Sequence, residues 1–397
     1  MTVSAQLPSD TPKYQLLMEI GRGGMGVVYL AMARGPRGFV KLVVLKTLQP
    51  QLVDNDGACR MFLDEARILA RLAHPNIVQV FEVIQHLGLP AMVMEYMEGR
   101  PLSAVLDPDP VPLPRVMYLY AICKVLAGLH AAHELRDYDG RALNLIHRDV
   151  SPHNVFLMFS GQVKVLDFGI AKLADSNGET QTGELKGKIR YMAPEQIGGD
   201  RLDRRVDIFA AGIMLWEALA GARLWSDLSE TEVLRRLING EIPPLPERDD
   251  IPASFAKLCE KALAFDPNRR FATASEFQRE LEGHLGELPE VGKEESLSAF
   301  MLEHFGRERD ATNRVIETQI KVAQRHETNG PPGYEPPSVG NMANGKPTMG
   351  KIPRLLWFSA IVAVTVVALG IFSAANRPLL SETPERPGTE KPTEPRT

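Results

Sequence analysis

Asp149 and Asp167 stand 18 residues apart, in the stretches H-R-D-V-S-P-H-N (147–154) and D-F-G (167–169). A carboxylate can take the proton of an attacking hydroxyl, and a second carboxylate with an asparagine amide offers hard oxygen ligands to magnesium. Asp149 is the candidate base, and Asn154 and Asp167 are the candidate metal ligands. Upstream, G-R-G-G-M-G-V-V-Y (21–29) places Gly21, Gly23 and Gly26 in the G-x-G-x-x-G spacing. Glycines there let backbone approach phosphate oxygens with no Cβ in the way. Dinucleotide-binding folds use the same spacing, but there the loop opens a helix. Here β-branched Val27 and Val28 follow, and a second strand ends in V-V-L-K at Lys46. A strand–loop–strand clamp over nucleotide phosphates fits better, with Lys46 reaching them as a point charge. A buried ammonium needs a partner, and F-L-D-E-A-R offers Glu65 on the following helix. Its neighbour Asp64 points about 100° away, and a solvated helix face is the alternative reading for Glu65.

These residues need two kinds of scaffold. Val27–Leu30, Val40–Leu48, Val78–Ile84 and Ala91–Met94 read as short strands, interrupted by a helical stretch around Arg60–Ala73. Residues 100–285 read mainly as helices, with Ile208, Ala211, Gly212, Leu215 and Leu219 recurring at helical spacing. The expectation is an α+β fold with a small β-rich lobe ahead of a larger helical one. A charged helical extension over 286–327 carries an apolar stripe of Leu297, Phe300, Met301 and Phe305. A Pro/Gly-rich linker at 328–354 and a Pro/Glu/Thr-rich tail at 376–397 flank one further apolar segment.

With all these motifs in order, residues 14–285 resemble a protein kinase of the bacterial, eukaryotic-like Ser/Thr type. The resemblance implies a two-lobe fold, ATP and Mg2+ as cofactors, and protein substrates phosphorylated on Ser or Thr. By it, Ile20, Gly21, Arg22, Gly23, Gly24, Met25, Gly26, Val27 and Val28 form the glycine-rich loop, and Lys46 with Glu65 positions the α and β phosphates. Met94 is the gatekeeper, and Glu95 to Met97 form the hinge whose backbone binds adenine. Asp149 is the catalytic base, and Asn154 and Asp167 hold magnesium. Ala193–Glu195 closes the activation segment, Glu195 pairs with Arg270, and Asp207 braces the catalytic loop. Autophosphorylation in trans would call for a homodimer.

Two departures stand out against that pattern. The position two after the catalytic aspartate, lysine in Ser/Thr kinases, holds Ser151. The position three before Tyr191, threonine in those families, holds Lys188. Because the two positions face each other in the fold, the ammonium and the hydroxyl have exchanged places, and Lys188 is expected to supply the missing cation. The other reading is a decayed site. Val44 stands where alanine is usual above adenine, and Phe156 forms the pocket floor. Arg148 calls for an activation-segment phosphate, with Thr180 and Thr182 the candidates.

Composition narrows the setting. A net charge of −5 and a pI near 6.0 give no reason to expect nucleic acid as partner. Cys59, Cys123 and Cys259 are odd in number and lack metal-ligand spacing, so free thiols in a reducing compartment are expected. The N-terminus shows neither basic nor apolar run of a signal peptide. Leu355–Ala375 is 21 residues without a charge. As a helix it is roughly 31 Å long, matching a hydrocarbon core of about 30 Å. One transmembrane helix in the plasma membrane follows, with the ATP-consuming part on the cytoplasmic side, next to Lys346, Lys351 and Arg354. The rival is a membrane-tethered scaffold that binds nucleotide or partners without catalysis.

Overall fold

The computed structural model describes residues 13–22, 26–86, 88–106, 111–168, 188–199, 202–288 and 292–328. The expected membrane span at 355–375, its linker and the tail lie outside them, as do Gly23, Gly24, Met25, Thr180 and Thr182.

Five antiparallel strands form the first lobe: β1 (Tyr14–Arg22), β2 (Gly26–Arg34), β3 (Val40–Leu48), β4 (Val80–His86) and β5 (Leu89–Glu95), in the order β1-β2-β3-β5-β4. Strand β1 is the first arm of the expected clamp, but its bounds were not legible, because Y-Q-L-L-M-E-I-G-R lacks a β-branched alternation. Its partner decides the matter: β1 pairs with β2 from Tyr14↔Ala33 to Arg22↔Val27. The period of two sorts β3 cleanly. Val43 and Leu45 join a small cluster with Tyr14, Ala31 and Val93 on one face, and Val44 and Leu48 join the main core on the other. Lys46 shares the parity of Val44, so it projects toward the main core side.

Helix α1 (Asp56–Leu69) crosses that side. It starts four residues earlier than its periodicity suggested, because the Asn55 side chain caps the amides of Gly57 and Ala58. Its buried residues are Ala58, Phe62, Glu65, Ala66 and Leu69. Glu65 is therefore the one charged member of an apolar stripe.

The second lobe is built on α3 (Arg115–His133) and α5 (Arg205–Ala220), both apolar nearly all round and buried accordingly. Among the described residues α3 alone is long and apolar enough to cross a bilayer, and here it is a core helix. Gly212 in α5 has a reason: a Cβ there would stand 2.8 Å from the Cβ of Ala262, so the glycine lets α5 approach α7 (Ala253–Ala262). The short helices α2 (Leu102–Val105), α4 (Pro194–Gly198) and α6 (Glu230–Ile238), with α8 (Ala274–Leu285), complete the lobe. A small sheet interrupts the helical region: β6 (Gly99–Pro101), β7 (Val155–Met158) and β8 (Val163–Val165), in the order β6-β7-β8. It holds up the loops that contain Asp149 and Asp167. Last comes α9 (Glu294–Thr328), in which Leu297, Phe300, Met301 and Phe305 are buried in the main core.

Candidate active site

Three charged groups from three elements meet between the lobes. The Lys46 Nζ of β3 lies 2.7 Å from the Asp167 Oδ1 and 3.6 Å from the Glu65 Oε1 of α1. The expected Lys46–Glu65 pair is present, but Asp167 is the tighter partner. Burial works against the charge of Lys46, yet Asp167 and Glu65 outweigh it and hold its pKa above the usual lysine value. The Lys46 ammonium in turn keeps the Asp167 carboxyl below the ordinary aspartate range. For Glu65 burial is the larger influence and raises its pKa, with Lys46 opposing.

Strands β1 and β2 flank the glycine loop. Gly21 pairs with Val28 and Arg22 with Val27 across the β1–β2 ladder. A Cβ on Gly26 would lie 2.7 Å from the Thr47 carbonyl oxygen, so only glycine fits where β2 presses on β3. Ile20 is exposed on the upper strand, and Arg22 is bound bidentately to Glu19. Val27 and Val44 are buried, and Phe156 is half-buried on β7, in keeping with an apolar nucleotide pocket.

The loop 147–154 is suspended from α5. Both oxygens of buried Asp207 accept backbone N–H bonds at 2.8 Å, from His147 and Arg148, and His133 Nε2 lies 2.7 Å from the same carboxylate. This lets Arg148 hold a left-handed φ of 64°. His147 Nε2 lies 2.8 Å from the Leu166 carbonyl oxygen, and its ring packs 4.5 Å from buried Phe168. Phe168 is thereby anchored inside, while Asp167, at φ 34°, is turned out toward Lys46. The Asn154 Nδ2 donates to the Asp149 carbonyl at 2.8 Å, and the Asn154 carbonyl accepts from Leu166 N at 2.8 Å. The Asn154 amide nitrogen is thus engaged, which points its oxygen elsewhere. With the Asp167 carboxylate it makes a hard-oxygen donor set, and that chemistry fits magnesium.

Ser151 is buried in this loop, and Lys188 opens the 3-10 turn Lys188–Tyr191. From that turn Pro194 and Glu195 lead into α4, where the Glu195 carboxylate grips the Arg270 guanidinium at 2.6 and 2.9 Å. Gln196 Nε2 also donates to the Arg148 carbonyl at 3.2 Å, tying α4 to the catalytic loop.

At the hinge one backbone group is already committed. The Glu95 amide donates to the Gln79 carbonyl at 3.0 Å, so the expected backbone contact of Glu95 with adenine falls to its carbonyl oxygen. Its side chain is engaged too: Glu95 Oε1 accepts from Lys164 Nζ and from Gln79 N, each at 2.7 Å. No backbone partner is found for the amides of Tyr96 and Met97 among the described residues, so both remain as hinge donors. The buried Lys164 was not foreseen. Its signal was a lysine between Val163 and Val165 on a strand otherwise wholly buried.

The protein kinase domain family model matches residues 14–281. The tyrosine-protein kinase MasK of Myxococcus xanthus is 38% identical over 381 residues, 94% of this chain and 56% of that protein. The serine/threonine-protein kinase PknB of Mycobacterium leprae is 33% identical over 293 residues, 72% of this chain and 45% of that one. The chain thus spans about half the length of the curated relatives it matches. A crystal structure of a variant of the Mycobacterium tuberculosis PknI kinase domain, 28% identical, covers 70% of this chain and 98% of its own, with a TM-score of 0.51.

Proposed function

The chain belongs to the protein kinase family, and on that premise we propose that it transfers the γ-phosphoryl group of ATP to serine or threonine hydroxyls of proteins, itself included. The observation that carries this reading is the convergence of Lys46, Glu65 and Asp167 beside a catalytic loop hung on Asp207. A decayed site would have no reason to keep so many charges buried and paired. In the proposed reaction the glycine loop covers the phosphates and Lys46, backed by Glu65, holds two of them. Asp149 accepts the proton of the incoming hydroxyl. Asn154 and Asp167 would hold magnesium, which when bound neutralises phosphate charge. The protein's contribution is position and charge, since phosphoryl transfer asks for little covalent work.

Ser151 and Lys188 belong to the same proposal. With Ser151 in the catalytic loop, the ammonium that steadies the transferring group comes from Lys188, across the site. A second reading concerns the acceptor. The likeness to a tyrosine-protein kinase over 94% of the chain, together with the absent loop lysine, favours tyrosine as an alternative hydroxyl.

The setting proposed is a single-pass plasma-membrane protein, anchored by Leu355–Ala375 with the kinase part in the cytoplasm, acting on other proteins and on a second copy of itself. The deciding experiment is incubation of the purified chain with radiolabelled ATP and magnesium, followed by phosphoamino-acid analysis. Phosphoserine or phosphothreonine supports the first reading and phosphotyrosine the second. Nucleotide binding with no incorporated label would leave the scaffold.

A further inference from the structure

The family match ends at residue 281, and α9 begins at Glu294. At 1.5 Å per residue its 35 residues extend about 52 Å, enough to run past both lobes. Its first part is fastened to the helical lobe. Leu297, Phe300, Met301 and Phe305 enter that core, and Ser298 Oγ donates to the Phe159 carbonyl at 2.8 Å. Its middle meets the chain just past the hinge. Arg309 Nε donates to Glu98 Oε2 at 2.9 Å, and its guanidinium lies 5.5 Å from the Phe159 ring centroid. Next to it Glu308 pairs with Arg100, whose guanidinium sits 4.6 Å over the Phe305 ring. Its last part reaches the β-lobe: α9 packs beside β1, Ile316 and Ala323 are buried, and Gln15 Nε2 donates to the Ala323 carbonyl at 3.5 Å. From Phe305 to Ile316 is 11 residues and from Ile316 to Ala323 is seven, about three and two helical turns. One face of one helix therefore touches the helical lobe, the hinge exit and the β-lobe in sequence.

Segments 95–97 and 98–100 are where the lobes must rotate if the cleft opens and closes around a nucleotide. A rigid rod fastened on both sides of that point, and pinned to it by two ion pairs, restricts the rotation. We propose that α9 is a strap that sets the angle between the lobes, and that Arg309 and Glu98 are positioning residues for nucleotide binding. The proposal deepens the kinase reading and rests on it for its kinetic part alone. If loss of the strap left the lobes correctly set about one fifth of the time, nucleotide affinity would fall about fivefold, because apparent affinity scales with the competent fraction.

The test uses the full chain and four variants: Arg309→Glu, Glu98→Arg, the two together, and Ile316→Asp, which loosens the far end without touching the hinge. Three quantities are read: the Mg-ATP dissociation constant by equilibrium dialysis, KM and kcat, and amide exchange of residues 95–100 and β1 without nucleotide. The single changes should weaken Mg-ATP about three- to tenfold and raise KM in step, with kcat within about twofold. They should also speed exchange at the hinge and in β1. The charge-swapped double variant should return both quantities toward wild type. Unchanged affinity and exchange in Arg309→Glu and Ile316→Asp would overturn the proposal. So would a joint fall in kcat and melting temperature that the swap does not restore, since α9 would then be a brace for folding only. A chain that binds ATP but transfers no phosphate would overturn the catalytic reading, while dissociation constants and exchange would still decide this one.

Discussion

Asp149, Lys188 and Glu65 are the residues whose replacement says most about the chemistry. Asp149→Asn removes the proposed base without altering shape, so the transfer rate should fall by roughly a hundredfold or more with the melting temperature kept. Wild-type turnover in that variant would remove Asp149 from its role. For the exchanged pair, Lys188→Thr should cost about 2–4 kcal/mol in the transition state, roughly 30- to 1,000-fold in rate. Adding Ser151→Lys restores an ammonium to the loop. The double variant should then be clearly more active than Lys188→Thr alone, because the two positions act as a unit. Equal rates in wild type and both variants would end the exchange idea. Glu65 offers a test in which stability and activity move in opposite directions. Burial raises its pKa in the folded chain. A raised pKa contributes stability that is present below the unfolded glutamate value, about 4.3, and is lost as pH rises through the folded value. Glu65→Gln cannot ionise, so the melting-temperature difference between variant and wild type should shift in the variant's favour as pH rises across that window. Transfer should nonetheless drop on the order of a hundredfold, because Lys46 loses one of the two carboxylates that orient it and is left to Asp167. A variant with full activity, or with the pH dependence of wild type, would contradict the role given to Glu65.

Among the elements, α4 and α5 carry the loops that surround the acceptor side of the site. The Arg270 guanidinium is fully buried and donates to both oxygens of Glu195. Removing one partner of such a pair strands the other charge, which typically costs about 3–5 kcal/mol. Glu195→Ala should therefore lower unfolding free energy by that amount in urea titration, and Glu195→Gln, which keeps an acceptor, by less. A loss under about 1 kcal/mol for Glu195→Ala would show that the turn after Ala193 is held by something else. The elements also explain where sequence reading succeeded. Lys46 was legible because strand parity after Leu42–Leu45 left it no comfortable exposed place. Glu65 was harder, because a glutamate on a helix is ordinarily solvated. Its position on the Phe62–Leu69 stripe became meaningful only once α1 was seen against the sheet.

At the scale of the whole molecule, the proposed membrane anchor has a direct test. Protease added outside intact cells should reach only the tail after Ala375 and leave residues 14–328 whole. Digestion of the kinase part under those conditions would reverse the proposed orientation, and recovery of the whole chain in the soluble fraction would remove the anchor. The bounds of β1 were not legible because its residues have no pattern of their own and become a strand by pairing with β2. The small sheet β6-β7-β8 escaped for a similar reason, since strands of three or four residues are too short to show a period.

The sequence by itself determined the candidates for the chemistry: which carboxylates, which lysine and which glycines, with the β-branched residues after the loop favouring one of the two phosphate-binding folds that share its spacing. Local types and intervals are sequence properties, so they could be read there. The tertiary structure decided which of those charges meet. It placed Asp167 closer than Glu65 to Lys46, engaged the Glu95 amide with Gln79, and buried Lys164 against the Glu95 carboxylate. It also carried α9 from the helical lobe along the hinge to β1. Each of these joins groups far apart in the chain. Their partners are chosen by packing and by the cost of leaving a buried charge unpaired, and neither has a local signature.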